Sequence, residues 1–458
     1  MRVRYNEDPY HLRHEASTGG CVSTPRREAI EGVVTLPTSG LRATEEQARR
    51  FDAEDALSGF KSRFYIPNGK IYMDGNSLGL MSRDAESSLT RVLEEWKRLG
   101  IDGWLSARPP WFEYGERLGA RVAAIVGADP ERVVVTGSTT INLHALALTF
   151  LREMPGKNVL ADRLNFPSDL YALAGDTALT GGRLKMVDSE DGRFLDEAEI
   201  IRAMTPDVGL AVLPSVLYRS GQLLDMPRLA RAARERRIIL GFDCSHSAGA
   251  VPHHFDEWDL DFAFWCSYKY LNGGPGATAV LYLSPRHWAI GPALPGWWGH
   301  RKDTQFEMRT EYDQAPAAGA WQVGTPNILG TAALWGAMEV ISEAGIERIR
   351  AKSLRQTAYL ICLIDEMLAP LGFSVGTPRE DGRRGGHVAL EHKDAWRVCA
   401  AMKERGVIPD FRPPDVMRLA PSPLYTSFVD IWNAVDAIGQ IVKSGSHLAM
   451  DGHPRSVT

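Results

Sequence analysis

Cysteine is scarce in this chain: five in 458 residues (Cys21, Cys244, Cys266, Cys362, Cys399), scattered and without a C-x-x-C spacing. That usage supports neither a zinc ribbon nor a disulfide framework. Cys244 and Cys266 stand in apolar runs and read as core thiols rather than nucleophiles. No apolar run is long enough to span a bilayer, and Met1 to Gly20 is polar and charged where a secretory leader would be apolar. There is no basic stripe: a formal charge of −5 with 24% charged residues describes an ordinary soluble protein, not a nucleic-acid binder. No repeat is found. No G-x-S-x-G elbow exists, and Asp243, Ser245 and His246 lie too close in sequence to form a hydrolase triad. The expected setting is a reducing, cytoplasmic one, with no membrane and no nucleic acid as partner.

What the chain does have is one lysine in an unusual place. The run Asp261-Phe-Ala-Phe-Trp-Cys-Ser-Tyr-Lys-Tyr-Leu-Asn-Gly-Gly-Pro-Gly276 begins as a buried strand and turns polar at Ser267. It sets Lys269 after Tyr268, then passes through a Gly/Pro turn into a second apolar run, Ala277 to Leu283. Most lysines are surface charges. A lysine between two buried strands needs an internal partner or a lowered pKa, the usual condition of one that binds an aldehyde covalently. Upstream, Ile238-Ile-Leu-Gly-Phe-Asp243 is an apolar strand ending in a carboxylate, with His246 three residues on. A carboxylate and a lysine at neighbouring strand ends are the pair that pyridoxal phosphate requires, one for the pyridinium nitrogen and one for the aldehyde.

From Arg132 the chain alternates strands (Arg132–Thr136, Lys157–Ala161, Arg183–Val187, Val208–Pro214, Ile238–Asp243, Asp261–Cys266, Thr278–Leu283) with helices such as Thr140–Leu151, Asp196–Met204 and Met226–Arg237. This predicts an α/β fold with a mainly parallel sheet, helices on both faces, and ligands at the C-terminal strand ends. Before it, Thr44 with Gln47 predicts a capped helix from Glu45. Phe64 to Met73 predicts a hairpin about Asn68-Gly69, and Arg83–Leu99 a helix with apolar positions Leu89, Val92, Leu93 and Trp96. After Gly330 come two long helices (Thr331–Glu343, Ile346–Leu368) and short strands at Phe373–Gly376, His387–Glu391 and Met417–Ala420, a smaller α+β domain. The organisation is then a flexible extension (1–42), an N-terminal segment with an active-site loop (43–100), a large cofactor-binding domain (101–330) and a small C-terminal domain (331–458). The charged turn Arg379 to Gly386 is expected to be solvated.

Several motifs admit two readings. Thr136-Gly-Ser-Thr-Thr-Ile-Asn142 joins a strand to a helix and offers N–H groups and hydroxyls to a phosphate. A plain N-cap would look the same, but its place in the sheet of Asp243 and Lys269 favours the phosphate. In Asn165-Phe-Pro-Ser-Asp169, Phe166 could lie on a cofactor ring and Asp169 support its polar edge; a Pro-initiated helix explains it locally just as well. Gly274-Pro-Gly-Ala-Thr-Ala279 resembles a dinucleotide fingerprint but opens a strand, which excludes it. His253-His254 reads as a surface pair, not a metal site, and no metal is expected. Arg418, in an apolar strand, needs a carboxylate: either that of a ligand or a structural partner, of which Asp415 is the one nearby in sequence. Trp104, Trp111, Trp297 and Trp298 lie in Gly/Pro-rich loops suited to a flat ligand.

Asp74-Gly-Asn-Ser-Leu-Gly79, Phe166-Pro-Ser-Asp169, Asp243-x-x-His246, Ser267-Tyr-Lys-Tyr-Leu-Asn-Gly-Gly274, Gly296-Trp-Trp-Gly-His300 and Arg418-Leu-Ala-Pro-Ser-Pro-Leu-Tyr425, in this order, resemble kynureninase, a family of fold-type I pyridoxal-phosphate enzymes. The resemblance runs from about Ala43 to about Val442. It implies hydrolysis of L-kynurenine to anthranilate and L-alanine in tryptophan catabolism and NAD biosynthesis. It implies that Lys269 carries pyridoxal 5'-phosphate, that Asp243 pairs with its ring nitrogen, and that Thr139, Thr140 and Tyr268 hold its phosphate, with Tyr268 also an acid–base group. Phe166 would stack on the ring, with Pro167, Ser168, Asp169 and His246 around it. Trp297 and Thr325 would reach the phosphate from a second subunit, making a homodimer with shared sites, and Arg418, Ser77 and Trp104 would bind substrate. Three features depart from the family pattern: an N-terminal extension of about forty residues, Trp-Trp where Trp-Phe is commoner, and Pro214-Ser215, which leaves one cofactor contact unassigned. The alternatives are a ring-substituted substrate such as 3-hydroxykynurenine, a class V aminotransferase or desulfurase, and a cofactor-binding regulator. A desulfurase needs an exposed cysteine near the site, and a regulator needs a DNA-binding segment that the chain lacks.

Overall fold

The computed structural model describes residues 40–451; the expected flexibility of the N-terminal extension lies almost wholly outside the described residues, as does Cys21. The described residues belong to one compact unit.

Its centre is a seven-stranded sheet. Numbered in chain order, β1 is Ile71–Tyr72, β2 Val133–Val135, β3 Asn158–Asp162, β4 Leu184–Val187, β5 Val208–Pro214, β6 Ile239–Asp243, β7 Phe262–Trp265 and β8 Val280–Leu283. The order across the sheet is β2-β8-β7-β6-β5-β3-β4. β3 to β7 run parallel, and β8 is antiparallel to both of its neighbours. The strands are continuous apolar runs because both faces are covered. Alternate side chains serve two cores: Ala211, Leu213, Ala263 and Trp265 pack with the helices Tyr114–Val126, Met226–Glu235 and Ile328–Ala344. Leu210, Val212, Phe262 and Phe264 pack with Thr139–Leu151 and Pro167–Thr180. The parallel, two-sided sheet expected from the alternating pattern is present.

A second sheet lies towards the C-terminus, with β9 Ser374–Val375, β10 Val388–Glu391, β11 Val407–Ile408, β12 Asp410–Arg412 and β13 Val416–Leu419. Four of these form an antiparallel sheet in the order β12-β13-β10-β9, while β11 pairs in parallel with β1. The helix Glu45–Ala53, capped by Thr44, sends Ala48 and Phe51 into this region, where with Met73 they join Leu360, Leu390, Met417 and Phe428 in one core. The helix Ile328–Ala344, through which the expected division at 330/331 runs, sends Leu334, Met338 and Ile341 into the core of the large sheet.

Four local expectations are corrected. Asn68-Gly69 does turn the chain, with Lys70 N–H donating to Pro67 O at 3.0 Å, but the arms do not pair as a hairpin. Phe64 bridges to Ser82 and enters the large core, whereas Ile71 and Tyr72 pair with β11, so the apolar arms are drawn to different cores. On the helix Arg83–Leu99 the buried face runs through Ala85, Ser88, Val92 and Glu95, leaving Leu93 and Trp96 exposed. Glu95 is accommodated because it takes Arg91 at 3.1 Å and the Arg108 N–H at 3.0 Å. His253 is buried, its Nε2 2.9 Å from Ser247 Oγ, so the pair His253-His254 is not a surface pair. The turn 379–386 is not wholly solvated: Arg384 is buried and donates to Thr357 Oγ1 at 2.9 Å.

Candidate active site

Two strand ends and two helix starts meet at one cavity of about 270 Å3. Asp243 ends β6 and Lys269 follows β7; Ser138 to Thr140 open the helix after β2, and Phe166 to Asp169 open the helix after β3. This is the C-terminal edge of the parallel strands, where loops converge and no helix covers the backbone ends. Thr139, Thr140, Phe166, Ser168, Asp169, Asp243, Tyr268 and Lys269 all line the cavity. Pro167 takes the first helical position between two of them, where a missing N–H costs nothing. Sequence reasoning did not single out four further lining residues, Ser138, Ser245, Gly276 and Ala277. Ser138 was legible as the N-cap, and its hydroxyl accepts from Ile141 N–H.

Lys269 is held by an unusual neighbour. Its Nζ lies 3.0 Å from His246 Nε2 and 5.9 Å above the Phe166 ring. Burial, with the charges of Lys269 and Arg418, holds the His246 imidazole well below its ordinary pKa and therefore neutral. The loop carrying Lys269 is pressed against the loop 74–79. Gly79 N–H donates to Tyr268 O at 2.8 Å, and a Cβ at Gly79 would stand 2.3 Å from Lys269 O, so only glycine fits. Opposite the lysine, Asp243 Oδ1 accepts from Ser245 N–H at 2.8 Å. Asp169 is its neighbour. Burial and the adjacent Asp243 carboxylate push Asp169 well above the usual carboxylate range, so Asp169 keeps its proton. Burial also raises the Tyr268 phenol, which stays protonated and a donor. Ser215 does not reach the cavity. Its hydroxyl donates to Asp243 O at 2.9 Å and lies 2.7 Å from Ser247 Oγ, bracing the end of β6.

Arg418 forms a second centre that the cavity does not include. It is fully buried, and its partner is Asp410, not the Asp415 suggested by sequence proximity; Asp415 pairs with Arg219 at 2.9 Å. β12 and β13 are antiparallel with Asp410 directly opposite Arg418. Asp410-Phe-Arg is too short a strand, before Pro413-Pro414, to announce itself. The remaining guanidinium donors go to Tyr218 O at 2.6 Å and Ser77 Oγ at 3.2 Å. The Asn76 amide oxygen, turned towards Arg418, accepts from Nε and Nη1 at 3.2 and 3.3 Å. Burial and the Asp410 charge raise the nearby Asp74 carboxyl to about 6.

The aromatic residues stand apart. Trp104 packs against Trp111 and Trp298, ring centres 5.9 and 5.1 Å away, and not against the cavity. Trp297 is half exposed and Thr325 exposed, neither lining the cavity of its own chain.

Comparison with known proteins gives this arrangement its family. Residues 349–438 match the kynureninase C-terminal domain, and residues 109–254 the DegT/DnrJ/EryC1/StrS aminotransferase family. The kynureninase of Geobacillus thermodenitrificans is 51% identical over 413 residues, 89% of this chain and 96% of that one. That of Bacillus anthracis is 50% identical over 405 residues, 87% and 95% of the two chains. The chain belongs to the kynureninase family.

Its fold is also that of solved pyridoxal-phosphate enzymes. A C-DES mutant with glycine covalently linked to the PLP cofactor has a TM-score of 0.73 at 16% identity, over 83% of this chain and 98% of that one. A cysteine desulfurase from Thermococcus onnurineus NA1 has a TM-score of 0.73 at 18% identity, over 84% and 98%. Pyridoxal phosphate fits the residues of this kynureninase-family site. Asp243 is a buried carboxylate that lines the cavity without a cation directly on it, the helix start at Ser138–Thr140 faces the same cavity and suits an anion, and the lysine lines it with them. The desulfurase alternative finds no suitable thiol among the described residues: Cys244, Cys266 and Cys399 are buried, burial pushes Cys244 up to about 12, and half-buried Cys362 lies in the helix Ile346–Leu363, pushed up to about 11. Among these residues no helix is long and apolar enough to cross a membrane, and no cluster suits a metal.

Proposed function

We propose that the chain hydrolyses the Cβ–Cγ bond of L-kynurenine, giving anthranilate and L-alanine, with pyridoxal phosphate carried on Lys269. The observation that carries this is the juxtaposition of Lys269, the Asp243 carboxyl group and the helix start at Thr139 around one cavity. The bound cofactor supplies an electron sink for charge released at the substrate α-carbon. The protein's own groups do the rest. Asp243 holds the ring nitrogen, Thr139 and Thr140 the phosphate, and Phe166 covers one face of the cavity. Lys269, when its amine is free, has neutral His246 at 3.0 Å and is the base that moves a proton at the substrate α-carbon. Tyr268, its phenol kept protonated by burial, offers a proton to the oxygen that develops charge when water adds at the γ-carbonyl.

Arg418, with Ser77, is assigned the substrate α-carboxylate. Because the guanidinium nitrogens already have protein partners, a carboxylate must displace the weakest of these contacts, the 3.2 Å bond to Ser77 Oγ. Trp297 and Thr325, exposed here, are assigned to the neighbouring subunit's phosphate site in a homodimer. The cytoplasm, and a route from tryptophan towards NAD, are the setting we assign. The test is direct. Incubation with kynurenine should yield anthranilate and alanine in equal amounts, and borohydride should fix the cofactor on Lys269. A label on another lysine, or turnover surviving Lys269→Ala, refutes the assignment.

A further inference from the structure

Behind Lys269 lies a histidine that the reaction just described does not use. His387 immediately precedes β10, in which Ala389 stands opposite Arg418; it is therefore the next side chain on the face that carries Arg418. Its ring is fully buried, and apart from the Arg219 backbone neither nitrogen has a hydrogen-bond partner in the protein. The His387 and His246 ring centres are 5.8 Å apart with planes at 61°. His246 itself is half satisfied: Nε2 meets Lys269 at 3.0 Å, while Nδ1 is buried and unpartnered.

The unpartnered His246 nitrogen and the His387 ring are connected by the chemistry of the imidazole. A neutral ring has one donor and one acceptor nitrogen, and the proton's position on one follows from what the other bonds. When the lysine amine is protonated it donates, so His246 Nε2 must accept and Nδ1 must carry the proton. When the amine is neutral it can accept, and the two nitrogens exchange roles. In both states Nδ1 needs a partner that can donate or accept, and leaving it dry forfeits a hydrogen bond in a buried place. Among the described residues His387 is the imidazole packed against the His246 ring, with ring centres 5.8 Å apart, a separation that leaves room for one bridging water between the two rings.

We propose that His387 is a positioning residue for the reactive lysine: through one buried water it holds His246 Nδ1, and thereby sets whether His246 Nε2 accepts from or donates to Lys269. The inference rests on reading Lys269 as the reactive amine, but two of its readouts, the bridging water and the His246 nitrogen-15 signature, are independent of turnover. His387 touches neither the lysine nor the cavity, and acts only through His246. Nearby Tyr270, whose buried phenol is also unpartnered and lies against Gly386, is available as a further contact of the same water.

The experiment uses the full chain, first without and then with pyridoxal phosphate. A high-resolution crystal structure of the cofactor-free protein should contain a water within hydrogen-bond distance of His246 Nδ1 and a His387 nitrogen; a dry gap there overturns the proposal. Nitrogen-15 spectra of histidine-labelled protein should show His246 in one tautomer. In His387→Phe, which keeps a ring and removes both nitrogens, that signature should become mixed, and kcat should fall about ten-fold with KM changed less than about two-fold. His387→Gln, which restores a polar group, should recover most of both. An unchanged His246 spectrum in a folded His387→Phe overturns the proposal, as does a Gln variant no better than Phe. If His387→Phe does not fold, the water in the unsubstituted protein decides. Loss of kynurenine hydrolysis alone would refute the function proposed above and leave these readouts standing.

Discussion

Replacing Arg418 with leucine removes a group that has two calls on it, and the structure allows them to be separated. As a structural residue, Arg418 neutralises Asp410, a carboxylate with no exposure. Removing one member of a buried ion pair costs about 3–5 kcal/mol. Arg412, 3.1 Å from Asp410 Oδ1, remains as a second cation, so the lower end, about 3 kcal/mol, is expected. As a ligand group, it would give the substrate carboxylate charge-assisted bonds worth about 2–4 kcal/mol, or about 30- to 1000-fold in KM. The two effects part company in the double variant Arg418→Leu with Asp410→Leu. Exchanging a whole buried pair for apolar groups is close to neutral. The cost left is that of Ser77, Tyr218 O and Asn76 losing a donor, about 1–2 kcal/mol. The double variant should therefore melt at a higher temperature than Arg418→Leu alone, retain its cofactor spectrum, and still show the full loss in KM. Thermal unfolding of the cofactor-loaded protein and steady-state kinetics with kynurenine measure the two quantities. A double variant whose KM returns to within about three-fold of the unsubstituted value would show that Arg418 is structural and that the carboxylate binds elsewhere.

Asp162, fully buried at the end of β3, is raised by burial to about 7. Its ionised form is therefore disfavoured in the folded state, so it costs stability above pH 7, by about 3–4 kcal/mol from linkage, and nothing at pH well below 4. Asp162→Asn should raise the unfolding temperature at pH 8, with the gain fading as pH falls from 7 to 4; an equal gain at both ends would contradict this. If Trp297 and Thr325 complete a partner's phosphate site, dilution below the dimerisation range should release cofactor, and a monomer that keeps cofactor and full activity would exclude the arrangement. Trp104, wedged between Trp111 and Trp298, offers a ring hydroxyl only its indole N–H, so kynurenine should be preferred over 3-hydroxykynurenine by roughly ten-fold or more in kcat/KM. Trp104→His with Thr325→Asn should narrow or reverse that ratio, and an unsubstituted enzyme favouring the hydroxylated substrate would show that this wall does not set the choice.

The site was legible in sequence where local pattern and global packing agree. Apolar runs ending in Asp243 and leading into Lys269 are strands because both faces are buried, and parallel strands deliver their ends to one edge. Legibility failed where the partner is remote. Asp410 lies opposite Arg418 only because a three-residue strand pairs there, and nothing in its own spacing says so. Phe64 and Ile71 look like two arms of a hairpin, yet their apolar surfaces are claimed by different cores. His387 reads as the first residue of a short strand after a charged turn, and nothing in that stretch announces that its buried ring lies 5.8 Å from the ring of His246.

The pairing of β1 with β11 also carries a cost in time. Ile71 N–H bonds to Gly406 O at 2.9 Å, Met73 N–H to Ile408 O at 2.9 Å, and Ala420 N–H to Met73 O at 2.8 Å. Synthesis at about 5–20 residues per second leaves tens of seconds between the emergence of these partners from the ribosome. Throughout that interval Ala48, Phe51 and Met73 have no core to enter, although the seven-stranded sheet can already assemble. The nascent chain thus carries an uncovered apolar segment, Ala48 to Met73, until the residues from Tyr359 to Ile441 that share its core have been made. Chaperone dependence and aggregation during overproduction should be governed by that segment, and slowing translation should aggravate both rather than relieve them.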